Sequence, residues 1–293
     1  MRKINQLDLF SGIGGFHLGF EKAGYKVKSY FSEIDKHAVA VYKHKFKDAE
    51  YVGSVEHIKG NELPRIDLIT FGSPCQDFSL AGKRKGMSGE RSSLILEAIR
   101  LISECRPRVF IWENVKGTFS SNSGEDFASI LQAFANIGGY RLEWQLLNTS
   151  WFLPQNRERI YLVGYSTKTK RNWRGVFPIG EDYQTNSKME RSRKAVTKCL
   201  TARGQEGHAG MQLIQVKSAT SKEVVVEPNY RIRNLTPIEC ERLQGFPDNH
   251  TEYGNYDGEV KKMSNTQRYK QCGNAVTTDV VQAIAEKIKP LFK

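Results

Sequence analysis

Over its first ~165 residues the chain alternates short β-branched and aromatic runs with stretches of helical periodicity, and this leaves few architectures open. Strands separated by helix-length connections read as βαβ units, which close into a parallel sheet with helices on both faces. Strand-like runs fall at Gln6–Phe10, Lys26–Phe31, Ile66–Phe71, Arg108–Trp112, Arg141–Leu147 and Ile160–Tyr165. Helical patterns lie between them at Gly15–Ala23, Asp35–Phe46, Ser92–Glu104 and Gly124–Ile137. In the third of these, Leu94, Ile95, Ala98, Ile99, Leu101 and Ile102 recur at spacings of three and four, as a helix packed on a sheet requires. Further on, Thr236–Leu243 opens with a Thr-Pro start signal and reads as a helix, and a last helix is expected over Ala275–Ile288, stopped by Pro290. The expected fold is α/β, with a doubly wound sheet.

Charge sets the second constraint. The 293 residues carry 44 Lys and Arg against 32 Asp and Glu, a formal net charge of +12. Between Ser166 and Arg233 stand 14 Lys and Arg against 6 Asp and Glu, so under a quarter of the chain supplies two-thirds of the excess. A solvated surface accounts for most charge runs, but one this uneven, set among glycines at Thr201–Gly210, suits a polyanion-binding insert. At 39% hydrophobic and 11% aromatic residues, the chain is not a disordered polycation. Its longest apolar runs, such as Val224–Val226, are far below the ~20 residues of a bilayer span. Met1–Asp8 lacks the apolar core of a signal peptide. Cysteines at 75, 105, 199, 240 and 272 form an odd set without a CxxC pair, which points to a reducing cytoplasm rather than disulfides or a zinc finger. The six histidines show no ligand spacing, so no metal is expected.

Three local patterns carry chemistry. Leu7–Phe16 is a strand running through glycines into a helix, where a ligand can approach the backbone at a helix N-terminus. It is not the dinucleotide fingerprint, because His17 occupies the place of the last glycine, and a nicotinamide enzyme is disfavoured. Glu33 ends the second strand about 20 residues on, where a carboxylate suits ribose hydroxyls, although an ordinary capping acid fits the position equally well. Cys75 follows the Ile66–Phe71 run among Gly, Ser, Pro, Gln and Asp, the setting of an exposed turn at the carboxyl edge of a sheet. Cys105 and Cys240 lie in helical patterns and read as small core residues. Glu113 ends the next strand, and parallel neighbours would bring it to the edge that carries Cys75. A thiol beside a carboxyl acid suits addition to an electron-poor ring.

Phe10–Gly15, Pro74-Cys75-Gln76, Glu113-Asn114-Val115, Gln155–Arg159, Leu235-Thr236-Pro237 with Arg242–Pro247, and Gln271–Val276 occur in this order along nearly the whole chain. In this set the chain resembles the cytosine-5 DNA methyltransferase family. The resemblance implies a Rossmann-like methyltransferase domain at 1–170, a smaller irregular target-recognition domain at 171–265, and a C-terminal segment, 266–293, returning to the first domain. It implies S-adenosylmethionine bound over Phe10, Gly12, Gly14 and Gly15, with Pro74 beside it and the ribose on Glu33. Ile34 would pack on the adenine, and Asn274 and Val276 would close the pocket. Cys75 would attack carbon 6 of a cytosine flipped out of duplex DNA, with Glu113 at ring nitrogen 3. Arg159 and Arg157 would hold the base oxygen and adjacent phosphate. Leu80–Gly89 matches the family's mobile loop, with Ser79, Lys83, Arg84 and Arg91 facing DNA, while Arg203 in the insert is the candidate base reader. Two positions depart from the family pattern. Ser54 follows Gly53 where an adenine-binding Asp is usual, and Glu90 precedes Arg91 where an Asp is usual.

Expected partners are double-stranded DNA and a restriction endonuclease of the same system, with no membrane, a monomer as the default state, and action in the cytoplasm on the nucleoid. Two other readings stay open. One is a relative that methylates cytosine in transfer RNA, and the other is a DNA reader that has lost turnover.

Overall fold

The computed structural model describes residues 1–73, 93–168, 173, 175–180, 213–217 and 230–292, with backbone alone at 93, 213–217 and 230–233. β1 (Arg2–Leu9) passes through α1 (Gly15–Lys22) to β2 (Tyr25–Ser32), and α2 (Lys36–Lys45) leads to the short β3 (Glu50–Tyr51). The chain then crosses back to β4 (Leu68–Gly72), and α3 (Ser93–Cys105) connects to β5 (Val109–Val115). α4 (Gly117–Ser120) and α5 (Glu125–Asn136) precede β6 (Tyr140–Asn148) and β7 (Glu158–Ser166). These strands form one seven-stranded sheet in the order β3-β2-β1-β4-β5-β7-β6. Each of the six strand-like runs of the sequence overlaps a strand of this sheet.

The pairs β2–β3, β1–β2, β1–β4 and β4–β5 are parallel, as the βαβ pattern predicts. The pairs β5–β7 and β6–β7 are antiparallel, which the pattern did not predict. The physical reason is the length of the connection. Residues 149–157 join β6 to β7, fewer than the dozen or so that a parallel crossover needs. The reversal has a consequence at the site, because it puts the start of β7, rather than its end, on the carboxyl edge of the sheet.

Alternating side chains feed two apolar layers. On one face α1 and the C-terminal helix α8 (Thr278–Ile288) set Phe16, Phe20, Val281 and Ile284 against Ile4, Leu68, Ile111 and Val163. On the other, α3 and α5 set Ala98, Ile102, Ile130 and Phe134 against Leu7, Ile69, Phe110 and Trp112. Successive residues of β5 thus point to opposite layers, as a strand buried on both faces requires.

After the short antiparallel pair β8 (Leu213–Lys217) and β9 (Tyr230–Asn234), the chain rejoins this body. α6 (Pro237–Leu243) starts at a capping box, in which Thr236 Oγ1 accepts from Glu239 N–H and the Glu239 carboxylate accepts from Thr236 N–H. The hairpin β10 (Tyr253–Tyr256) and β11 (Glu259–Lys262) leads into α7 (Asn265–Asn274). The single helix expected at Ala275–Ile288 is therefore preceded by a separate helix. α7 is almost without apolar residues, so it has no periodicity to announce it. Residues 173, 175–179 and 235–263 fall inside the 171–265 stretch, yet they pack on the sheet domain. Val176 and Ile179 lie in the α1–α8 layer, and Phe246 and Met263 pack with Ile13, Ala38 and Val41. No helix among the described residues is long and apolar enough to cross a membrane.

Candidate active site

The order of strands reverses between β1 and β4, and open α/β sheets bind ligands at the carboxyl edge beside that point. A cavity of about 630 Å³ lies there. Its walls come from the β1 turn (Phe10, Gly12), the end of β2 (Glu33, Ile34, Asp35), Ser54–Glu56, the end of β4 (Gly72, Ser73), Glu113–Val115, the start of β7 (Arg157, Arg159) and α7 (Lys270, Asn274).

The β1 turn leaves its strand sharply. Phe10 has φ +51°, a conformation that is uncommon for a bulky residue and that points to a functional constraint. Gly14, at φ +84°, caps α1 where a side chain would be strained and would run into Phe46. Glu33 holds the turn in place. Its Oε2 accepts from Gly12 N–H at 2.9 Å, while Oε1 accepts from Ile34 N–H at 2.8 Å and Asp35 N–H at 2.9 Å. A carboxylate offers about four acceptor positions, so one on Oε2 is left for a ligand hydroxyl. Ile34 is 82% exposed and lines the cavity wall, so its apolar face is open to a ligand. The buried His250 joins its ring Nε2 to the Ile13 carbonyl at 2.9 Å, and burial pushes its imidazole down to about 4.

At the opposite end, the register sets Gly72 against Glu113 and Val115 against Arg159. Glu113 and Arg159 therefore lie diagonally on one face of the β5–β7 pair, where long side chains meet. Glu113 Oε1 is 3.2 Å from Arg159 Nε, with both side chains largely buried. Burial, and next the Glu113 charge, push the neighbouring Tyr161 phenol far up. Two further contacts anchor the end of β4. The Trp112 indole N–H donates to Ser73 Oγ at 3.0 Å, and the Asn114 amide N–H donates to the same oxygen at 3.4 Å. Asn114 Oδ1 in turn accepts from Val115 N–H at 2.8 Å. Ser73 is two residues before Cys75 in sequence.

The structure thus brings Phe10, Gly12, Glu33, Ile34, Ser54, Glu113, Arg157, Arg159 and Asn274 around one cavity. Gly14, Gly15 and Val276 lie behind the turn, where a Cβ on Gly15 would stand 2.6 Å from Val276 Cγ2. Arg157, at the cavity wall, also holds the chain together. Only 4% exposed, its guanidinium donates to the carbonyls of Gly273 at 3.2 Å and Ala275 at 2.9 Å, holding the C-terminal segment around Asn274. Pro74, Cys75, Ser79, Lys83, Arg84, Arg91 and Arg203 lie outside the described residues. Among the described residues, no cluster of three His, Cys, Asp or Glu could hold a metal ion. Asp35, Glu56 and Lys270 also line the cavity, and sequence reasoning missed all three. Asp35 alone had a signal, as the acid heading a helical pattern, while Lys270 sits on the helix that showed no periodicity.

The model of the C-5 cytosine-specific DNA methylase family matches residues 4–209 and 170–290. The chain belongs to this family. It is 34% identical to the Type II methyltransferase M1.ScrFI of Lactococcus lactis subsp. cremoris over 98% of this chain and 78% of that protein. It is 32% identical to the Type II methyltransferase M.Bsp6I of Bacillus sp. (strain RFL6) over 96% of each. Among solved structures, the S. pombe Dnmt2 methyltransferase superposes with a TM-score of 0.69 at 19% identity, covering 98% of this chain and 99% of that one. The Entamoeba histolytica methyltransferase EhMeth does so with a TM-score of 0.69 at 20% identity, covering 100% and 98%. At these identities the superpositions speak to the fold, which is the Rossmann-like methyltransferase domain. Family membership makes the protein a DNA cytosine methyltransferase.

Proposed function

We propose that this methyltransferase acts through a covalent adduct between Cys75 and a cytosine flipped out of duplex DNA. The observation that carries the reading is the Glu113–Arg159 pair, 3.2 Å apart, at the strand edge that holds Ser73, two residues before Cys75 in the sequence. The Cys75 thiolate adds to carbon 6 of the ring, Glu113 delivers a proton to nitrogen 3, and the ring electrons move to carbon 5. Arg159 steadies the Glu113 carboxyl and holds the base oxygen, while Arg157 positions the C-terminal wall of the cavity. Once carbon 5 has accepted the methyl, it gives its proton to solvent. The electrons of that C–H bond re-form the double bond to carbon 6 and expel the Cys75 thiolate. Nitrogen 3 returns its proton to Glu113 as the ring regains its aromaticity. Flipping costs a few kcal/mol, which phosphate contacts from Lys83, Arg84, Arg91 and the basic insert, Arg203 included, offset.

The cavity fits S-adenosylmethionine. The spare acceptor position on Glu33 suits a ribose hydroxyl, the exposed Ile34 suits a purine face, and Phe10, Gly12 and Asn274 complete the walls. Its volume falls within the ~300–1,000 Å³ of small-molecule sites. When bound, that group supplies the methyl that carbon 5 accepts. The names of the Type II relatives support work beside a restriction endonuclease. A monomer acting in the cytoplasm suffices, because flipping needs one protomer. A duplex carrying 5-fluorocytosine tests the reading: the carbon-5 fluorine blocks the final elimination and traps the adduct. A protein–DNA band stable to denaturing electrophoresis is expected for the wild type and absent for Cys75→Ser. Methylation without a trapped band, or a trapped band only with transfer RNA, would overturn it.

A further inference from the structure

The polar groups at the apolar end of the cavity single out one residue that the family pattern does not use. Phe10, Ile34, Val55 and Leu94 line that end, and Phe10 and Leu94 pack against the cluster that contains Val55. These side chains suit the flat faces of a purine, but a purine edge also needs hydrogen-bond partners. Ser54 and Glu56, on either side of Val55, bring polar side chains to the wall here. Ser54 stands where the resemblance expects an acid. It begins the single turn Val55–His57 without a side-chain cap, so its hydroxyl is uncommitted among the described residues.

Glu56 is uncommitted as well. The nearby cations have other partners, since Arg100 pairs with Glu97 and Glu104, and Lys59 pairs with Glu62. Among the described residues the Glu56 carboxylate has no hydrogen bond or ion pair, although it lines the cavity. The two groups differ in what they can discriminate. A hydroxyl rotates to donate or accept, so Ser54 serves an amino group and a keto group alike. An ionised carboxylate only accepts, so it favours an amine and repels a keto oxygen.

We propose that Glu56 reads the exocyclic amine of the adenine and is the residue that makes the site selective for an adenosine-type cofactor. The proposal rests on the S-adenosylmethionine reading above. It transfers to Glu56 a task that the usual position, here Ser54, performs without discrimination.

Calorimetric titration of the full chain with S-adenosylhomocysteine, and with the deaminated analogue in which a keto oxygen replaces the amine, tests it. The wild type is expected to favour the adenosine form by about tenfold, the scale of one hydrogen bond to a charged acceptor. In Glu56→Gln the side-chain amide both donates and accepts, so the preference should fall to within about twofold, mainly through tighter binding of the deaminated form. Ser54→Ala should weaken both forms together and keep the ratio. Loss of the ratio in Ser54→Ala with its retention in Glu56→Gln would overturn the proposal, as would a wild type that binds both forms equally. A wild type that binds neither form would refute the cofactor reading itself. Glu56 is exposed, so its substitution leaves the core intact, and matching thermal melts of the three proteins would establish that.

Discussion

Asp8 lies in the middle of the sheet, between Phe31 and Thr70 of the adjoining strands, with no exposed surface. It accepts hydrogen bonds from Thr70 Oγ1 at 2.7 Å and from the Tyr42 hydroxyl at 3.2 Å. Gln6 and Ser29 extend this buried network. Burial dominates, and it pushes the Asp8 carboxyl up to about 8 from its ordinary 3.8. The folded protein therefore keeps a proton on Asp8 that the unfolded chain gives up above about pH 4. This contribution to stability is complete below pH 3.8 and is lost as the pH rises through 8. Asn mimics the neutral acid and does not titrate. Stability measured by urea unfolding should accordingly show Asp8→Asn gaining on the wild type from pH 4 to pH 8. A difference that stays constant with pH would mean that Asp8 is ionised in the fold. Burial lowers His250 by the same physics, since an imidazole loses its charged form where a carboxyl keeps its neutral one.

At the scale of elements, α6 and α7 are joined by a buried ion pair. The fully buried Glu241 carboxylate accepts from Arg268 Nη2 at 3.0 Å, from Asn249 N–H and Thr251 N–H at 2.8 Å each, and from the Thr251 hydroxyl. Removing one partner of such a pair leaves a buried charge without its counter-ion, which typically costs ~3–5 kcal/mol. Glu241→Ala should lose about that much in urea unfolding, whereas Glu241→Gln, which keeps one of the two acceptor oxygens and most of the side-chain volume, should lose less. The effect should extend to cofactor affinity. α7 carries Lys270, whose ammonium reaches Asp35 across the cavity at 2.7 Å, and ends at Asn274. Unchanged cofactor binding in the Glu241→Ala protein would show that the knot does not hold the cavity wall. The start of α6 was legible in the sequence, but its ion pair with α7 was not. Periodicity reveals helices that bury an apolar stripe, whereas α7 is positioned by polar contacts whose partners lie far away in the chain.

For the whole molecule, charge governs the encounter with DNA. Concentration of the excess between Ser166 and Arg233 predicts that affinity for duplex DNA falls with salt, at ~0.9 log units per neutralised phosphate for each log unit of salt. If roughly four phosphates are neutralised, a fourfold rise in salt should weaken binding by about two orders of magnitude in a fluorescence titration. A flat response would remove the insert from the interface. The sequence by itself determined the doubly wound fold, because strand and helix periods are local and follow one another in order. It also determined the family, because short motifs keep their chemistry and order whatever lies between them. Tertiary structure alone decided three other things: the reversal of β7 that brings Arg159 to Glu113, the use of Arg157 to hold the C-terminal segment, and the meeting of Glu56 with the cavity. Each is a contact between parts of the chain distant in sequence, and such contacts are set by packing rather than by local propensity.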